Sequence, residues 1–248
     1  TKPKLDVTAG TEALGKELAA KVKMAARTKV QRRTGLPTEH ERSAPKLSPQ
    51  LIQTTDRVIC LGASTGGTEA LKEVLCGLPP DSPGIVIVQH MPEKFTSQFA
   101  ARLDQLTSLH VAEAADGDRI IAGHAFIAPG NRHLRIVRSG ATYKLALSDE
   151  SPVAHHRPSI DVLFESAAKA LGRNAVAAIL TGMGADGAWG MKLMRDAGAR
   201  TIAQDEASCI VYGMPKEAVA HGGVEQVLPL KKIASGLLAM AGKGPVSN

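Results

Sequence analysis

The sequence predicts an α/β fold: a doubly wound, mostly parallel sheet with helices on both faces and an antiparallel hairpin excursion. Three observations lead there. From Arg57 onward short apolar runs alternate with helix-like stretches, and repeated βα units of this length imply parallel strands with helical crossovers. Three of the runs, at 58–61, 85–88 and 176–180, end in turns that carry a reactive side chain. Between residues 124 and 147 the runs follow one another without helical spacers, which reads as the excursion.

The elements follow in chain order. In residues 10–28, Leu14, Leu18 and Val22 recur at four-residue spacing beside Ala19, Ala25 and Ala26, which predicts a helix. A lone helix of that length is marginal in water, so its stripe needs a partner. It is the last element of another domain, or it docks on the body, or it pairs with a second chain. Residues 29–55 mix Pro, Ser and both charges without an apolar period and read as a linker. The chain thus divides into 1–28, 29–55 and a body at 56–248.

In the body, a strand at 57–62 leads to a helix near 66–77, and a strand at 84–89 to a helix near 94–106. A strand at 109–114 follows. Segments 124–128, 133–138 and 142–147, with Asn131-Arg132 and Ser139-Gly140 at their turns, make the antiparallel excursion. A helix at 158–171 leads to a strand at 175–181. A helix at 187–197, closed by Gly198, leads to a strand at 200–204. A helix near 214–221, a strand at 225–229 and a helix at 230–241 complete the chain.

Bulk properties narrow the function. The chain has 248 residues and 44% hydrophobic content, enough for one large domain with an appendage. No apolar run approaches the roughly 18 residues of a membrane span, so no direct membrane insertion is expected. Thr1-Lys2-Pro3-Lys4 has no apolar core behind it and does not open a secretory leader. Cys60, Cys76 and Cys209 are far apart, and no Cys/His cluster has zinc spacing; they read as reduced, buried thiols of a cytoplasmic protein. Of 30 Lys/Arg and 24 Asp/Glu, residues 1–50 hold 11 and 5, leaving 19 of each in the rest. The net charge of +6 therefore belongs to the N-terminal segment. Aromatics make up 3% of the chain, too few for a stacking platform, and nucleic acid is not an expected partner.

Gly62-Ala63-Ser64-Thr65-Gly66 fits G-x-S-x-G, a tight strand-to-helix turn that lifts a serine hydroxyl above the sheet edge. A Gly-rich turn after a first strand is also a phosphate cradle, although here the spacing is not G-x-G-x-x-G and no G-K-[ST] follows. His90 closes a strand beside Met91-Pro92, where proline forces the chain out of the sheet. Asp186 lies in Gly182-Met183-Gly184-Ala185-Asp186-Gly187, either as a catalytic carboxylate or as the N-cap of the next helix; Asp205, after another strand, is its rival. In a parallel sheet these strand ends share one edge, so a serine, a histidine and an aspartate meet as the parts of a hydrolytic triad. The order Ser…His…Asp differs from the α/β-hydrolase order. His124, His133, His155 and His221 read as structural or exposed, and Glu165 with Lys169 as a solvated helix pair.

From about Arg57 to Leu230 the chain resembles the catalytic domain of the bacterial chemotaxis protein-glutamate methylesterases, the CheB family. Besides the three turns, the likeness is carried by Gln89-His90-Met91-Pro92, Ile127-Ala128-Pro129-Gly130, His156-Arg157-Pro158-Ser159 and 203–209. The resemblance implies Ser64 as nucleophile, His90 as base and Asp186 as orienting acid, without metal or cofactor. The oxyanion-hole candidates are the backbone N–H groups of Thr65 and Met183. His156 and Arg157 line the site entrance, or else serve as a cap and a surface salt bridge. The implied activity is hydrolysis of glutamyl methyl esters, and deamidation of certain glutamines, on the cytoplasmic domains of methyl-accepting chemoreceptors. The resemblance also makes 10–28 the last helix of an N-terminal receiver domain, otherwise absent from this chain and served by a histidine kinase. Two other readings compete: a nucleotide- or phosphate-binding module at the Ser64 turn, and a non-catalytic interaction domain with a basic arm.

Overall fold

Solidly apolar strands build the centre of this molecule. In the computed structural model, residues 57–242 are described; the helix expected at 10–28 and the linker at 29–55 lie outside them. The strands are β1 (Val58–Ala63), β2 (Gly84–Gln89), β3 (His110–Glu113), β4 (His124–Ile127), β5 (His133–Ser139), β6 (Thr142–Ser148), β7 (Ala175–Ile179), β8 (Arg200–Gln204) and β9 (Gln226–Leu228). The helices are α1 (Gly67–Cys76), α2 (Glu93–Leu106), α3 (Ile160–Leu171), α4 (Ala188–Asp196), α5 (Met214–Ala220) and α6 (Leu230–Met240), with a 3-10 turn at Gly172–Asn174.

Seven strands form one sheet in the order β3-β4-β2-β1-β7-β8-β9, every neighbouring pair parallel. β1, β2 and β7 are buried at every position, as interior strands covered on both faces must be. Successive side chains alternate between faces. Val58 and Cys60 join the core under α3, α4 and α5, while Ile59 and Leu61 join the core under α1, α2 and α6. Each fully buried Val, Leu or Ile contributes roughly 1.5–3 kcal/mol of transfer free energy, so these two layers fix which strands stand at the centre. The pairs Ala63 with Gln89 and Gly62 with Ile179 set the ends of β1, β2 and β7 level with one another. The strand order reverses between β1 and β7, where a doubly wound sheet opens a crevice.

One expectation is corrected. Residues 124–127 do not belong to the antiparallel excursion; β4 lies inside the main sheet, parallel to β2 and β3. Only β5 and β6 form the separate antiparallel pair. The physical reason is a crossover without a helix. Residues 114–123 pair instead with β6, through Gly117 N–H to Leu145 O at 2.9 Å, Ile120 N–H to Tyr143 O at 3.0 Å and Leu145 N–H to Asp118 O at 2.8 Å. The strand expected at 175–181 ends at Ile179, which leaves Leu180 and Thr181 to start the turn. Cys60, Cys76 and Cys209 are free thiols, but only Cys60 is buried; Cys76 is exposed and Cys209 half-buried. Burial pushes the Cys209 thiol up to about 12. No helix among the described residues is long and apolar enough to cross a membrane.

Candidate active site

The turn after β1 is stitched to the turn after β7. Ser64 N–H donates to Thr181 O at 3.0 Å, and Thr181 Oγ1 donates to Thr65 O at 3.0 Å. Gly66 takes φ of 80°, a left-handed conformation that glycine adopts without cost, and this swings the chain into α1. Gly182 is glycine for a different reason: a Cβ there would stand 2.2 Å from Met214 Sδ and 2.8 Å from Ser64 Cβ. Its missing side chain lets the two turns touch.

β2 delivers the histidine. His90 N–H donates to Ala63 O at 3.2 Å, which ties the end of β2 to the end of β1. The preceding Gln89, 3% exposed, donates from Nε2 to the carbonyls of both Ser64 at 3.0 Å and His90 at 3.2 Å. The imidazole then bridges two partners, with Nδ1 3.1 Å from Ser64 Oγ and Nε2 2.7 Å from Asp186 Oδ2. The carboxylate only accepts, so Nε2 carries the proton and Nδ1 is left as an acceptor facing the serine hydroxyl.

Asp186 is buried, at 3% exposure. It does not cap the helix that follows it: α4 starts after Gly187, whose φ is 93°, with no side-chain cap. Its carboxylate points at the start of α3 instead. Oδ2 accepts from Ile160 N–H at 2.7 Å, and Oδ1 accepts from Ser159 Oγ at 2.7 Å and from Asp161 N–H at 3.2 Å. Unsatisfied N–H groups and the positive dipole end of that helix favour an anion. Burial works to raise the carboxyl; hydrogen bonds from His90, Ile160 N–H and Ser159 outweigh it and hold Asp186 below its ordinary range. Asp205, the rival, closes a turn after β8, accepting from Ser208 N–H at 3.1 Å and from the Ser208 hydroxyl.

The remaining candidates divide. Thr65 and Met183 are both exposed beside Ser64, and among the described residues no acceptor engages the N–H of either. His156 is half-buried in the cleft wall, and its ring stacks on His90 with centroids 3.8 Å apart and planes 9° apart. Burial first, and then the neighbouring His90, hold the His156 imidazole below its ordinary range. Arg157 lines the cleft beside His90 and also ties loops together, donating to Asn131 Oδ1 at 2.6 and 3.1 Å and to the carbonyls of Asp149 and Glu150 at 3.0 and 3.1 Å. An open cleft of about 240 Å³ beside His90 is lined by Met91, Pro92, His155, His156, Arg157 and Pro158.

Three contributors escaped the sequence reading. His155 lines the cleft instead of standing apart from the site. Ser159 both caps α3, accepting from Val162 N–H at 3.4 Å, and holds Asp186; its place just before a helix was the available signal. Gln89 carries no local signal beyond its place beside His90. His133 is structural: fully buried, it accepts from Ser159 N–H at 3.2 Å and donates to Ser151 O at 3.1 Å. His221 bonds to Glu217 O within its own helix end, and Lys169 pairs with Glu165 at 2.6 Å on an exposed face. Ile210 packs against Gly66, so the turn is covered on that side. Among the described residues no group of three or more His, Cys, Asp or Glu could hold a metal ion.

Comparison with known proteins gives one answer. Residues 59–237 match the family model described as CheB methylesterase. The chain is 54% identical over 243 residues to protein-glutamate methylesterase/protein-glutamine glutaminase 2 of Pseudomonas aeruginosa, covering 98% of this chain and 68% of that one. It is 50% identical over 246 residues to protein-glutamate methylesterase/protein-glutamine glutaminase of Pectobacterium atrosepticum, covering 98% and 69%. The chain thus spans about two thirds of the length of these relatives. Among solved structures, the Thermotoga maritima CheB methylesterase catalytic domain is similar with a TM-score of 0.72 and 37% identity, covering 74% of this chain and 98% of that one.

Proposed function

The chain belongs to the CheB methylesterase family, and from that premise we propose that it hydrolyses γ-glutamyl methyl esters on the cytoplasmic domains of chemoreceptors, giving glutamate and methanol. Deamidation of receptor glutamines is the same acyl chemistry with ammonia leaving. Ser64 is the nucleophile. His90 Nδ1 takes the hydroxyl proton as Oγ attacks the ester carbonyl, and Asp186 holds the ring with Nε2 protonated and stabilises the imidazolium. The N–H groups of Thr65 and Met183 receive the oxyanion. Collapse of the tetrahedral intermediate releases methanol with the proton from His90. Water, deprotonated by His90, then attacks the acyl-serine and frees the carboxylate.

The observation that carries this reading is the unbroken run of hydrogen bonds from Ser64 Oγ through His90 to Asp186. The same reading makes residues 10–28 the last helix of a receiver domain and 29–55 its linker. The test pairs a serine-directed phosphonylating probe with methanol release from methylated receptor. Labelling of the Ser64 peptide, and its loss together with turnover in Ser64→Ala, is the expected result. Normal methanol release by Ser64→Ala would refute the nucleophile.

A further inference from the structure

Both ring nitrogens of His90 are engaged, one by Ser64 and one by Asp186. A further neighbour can lie on its faces, and His156 lies flat against one of them at 3.8 Å between centroids. The chain goes to some length to put it there. His156 ends a tight turn closed by Val153 N–H to His156 O at 3.1 Å and His156 N–H to Val153 O at 2.8 Å. The two central residues, Ala154 and His155, hold φ of 47° and 65° without being glycine. Left-handed backbone at such residues persists only where the surroundings impose it, and strain of this kind gathers at functional sites. On the far side of the turn, Arg157 is pinned to Asn131 and to the carbonyls of Asp149 and Glu150. The ring is therefore fixed from both directions along the chain.

We propose that His156 is a positioning residue for His90: its ring, stacked flat on the imidazole, holds the His90 plane between Ser64 and Asp186, and the closeness of the two rings disfavours charge on both at once. This rests on the reading of Ser64, His90 and Asp186 as a hydrolytic site. When Ser64 gives its proton to Nδ1, His90 becomes an imidazolium. A neutral ring on its face leaves that charge unopposed, whereas a protonated one would set a like charge 3.8 Å away. The charged and titratable groups around His156 act in that sense. Burial and His90 disfavour a proton on it, His155 adds to them, and Asp186 works the other way while bonded directly to His90. Arg157 contributes a further positive group to the cleft wall, and Met91, Pro92 and Pro158 complete it without charge.

The experiment compares the wild type with His156→Phe, which keeps a flat ring and cannot be protonated, and with His156→Ala. Two readouts are taken: the pH dependence of Ser64 phosphonylation, and NMR titration of the His90 and His156 rings. His156→Ala is expected to lose on the order of a hundredfold in rate, as misplacement of a catalytic group does. His156→Phe recovers most of that loss at a similar thermal midpoint. In His90→Gln the titration of His156 is expected to move up, because a neighbour that disfavours its proton is gone. Wild-type rates in His156→Ala, or a His156 titration indifferent to the His90 imidazole, would overturn the proposal. Absence of Ser64 labelling in the wild type would instead sink the hydrolytic reading, and the ring titrations would still decide whether the two imidazoles are coupled.

Discussion

Asp186 divides two oxygens among four donors: the His90 ring, the Ser159 hydroxyl and the N–H groups of Ile160 and Asp161. Asp186→Asn places an amide where an acceptor is needed, so His90 loses the partner that fixes its tautomer. A fall in kcat on the order of 10⁴ is expected in steady-state assays, the scale found where a triad aspartate sets the tautomer. The same carboxyl has a pH signature. Its folded pKa lies below the usual 3.8, so its contribution to stability is complete above that value and is lost as pH falls through the folded one. Urea midpoints measured down the acid limb should therefore drop less steeply in Asp186→Asn than in the wild type. The three reactive residue types were legible because each ends an apolar run. The direction of Asp186 was not, because its helix partner Ile160 stands 26 residues upstream, and the one helix that spacing offered it was the helix next door.

The turn at 153–156 shows an element built against local preference. An alanine with φ of 47° sits at its centre, and left-handed backbone costs a non-glycine residue roughly 1–2 kcal/mol. Ala154→Gly should raise stability by up to about 1 kcal/mol once the extra chain entropy of glycine is deducted, read as a higher urea midpoint with unchanged slope. A lower midpoint would mean that the alanine methyl has a packing role. No turn was legible there, since Val153-Ala154-His155-His156 contains no glycine, asparagine or proline. β4 illustrates the opposite failure. Its period and length were readable, but its sheet was not, because a crossover normally announces itself with a helix and residues 114–123 pair with a strand instead.

Residues 57–242 are built as two apolar layers pressed on one sheet, and that much followed from the alternation of runs and helices. Phe164 is fully buried in the layer beneath α3 and α4. Its ring lies under Gly62, where an added Cβ would stand 3.2 Å from Cζ, and its Cβ would be 2.6 Å from one on Gly190. Phe164→Ala should cost about 3–5 kcal/mol, seen by calorimetry as a Tm lowered by roughly 10 °C for a domain of this size. The reversal of strand order between β1 and β7 has one more consequence. Everything before the exposed residues 149–152 supplies the hydroxyl and the imidazole; everything after supplies the carboxylate and the helix that cradles it. Nicked there, the polypeptide would become two inert halves, and recovered hydrolysis on mixing them would report their reunion.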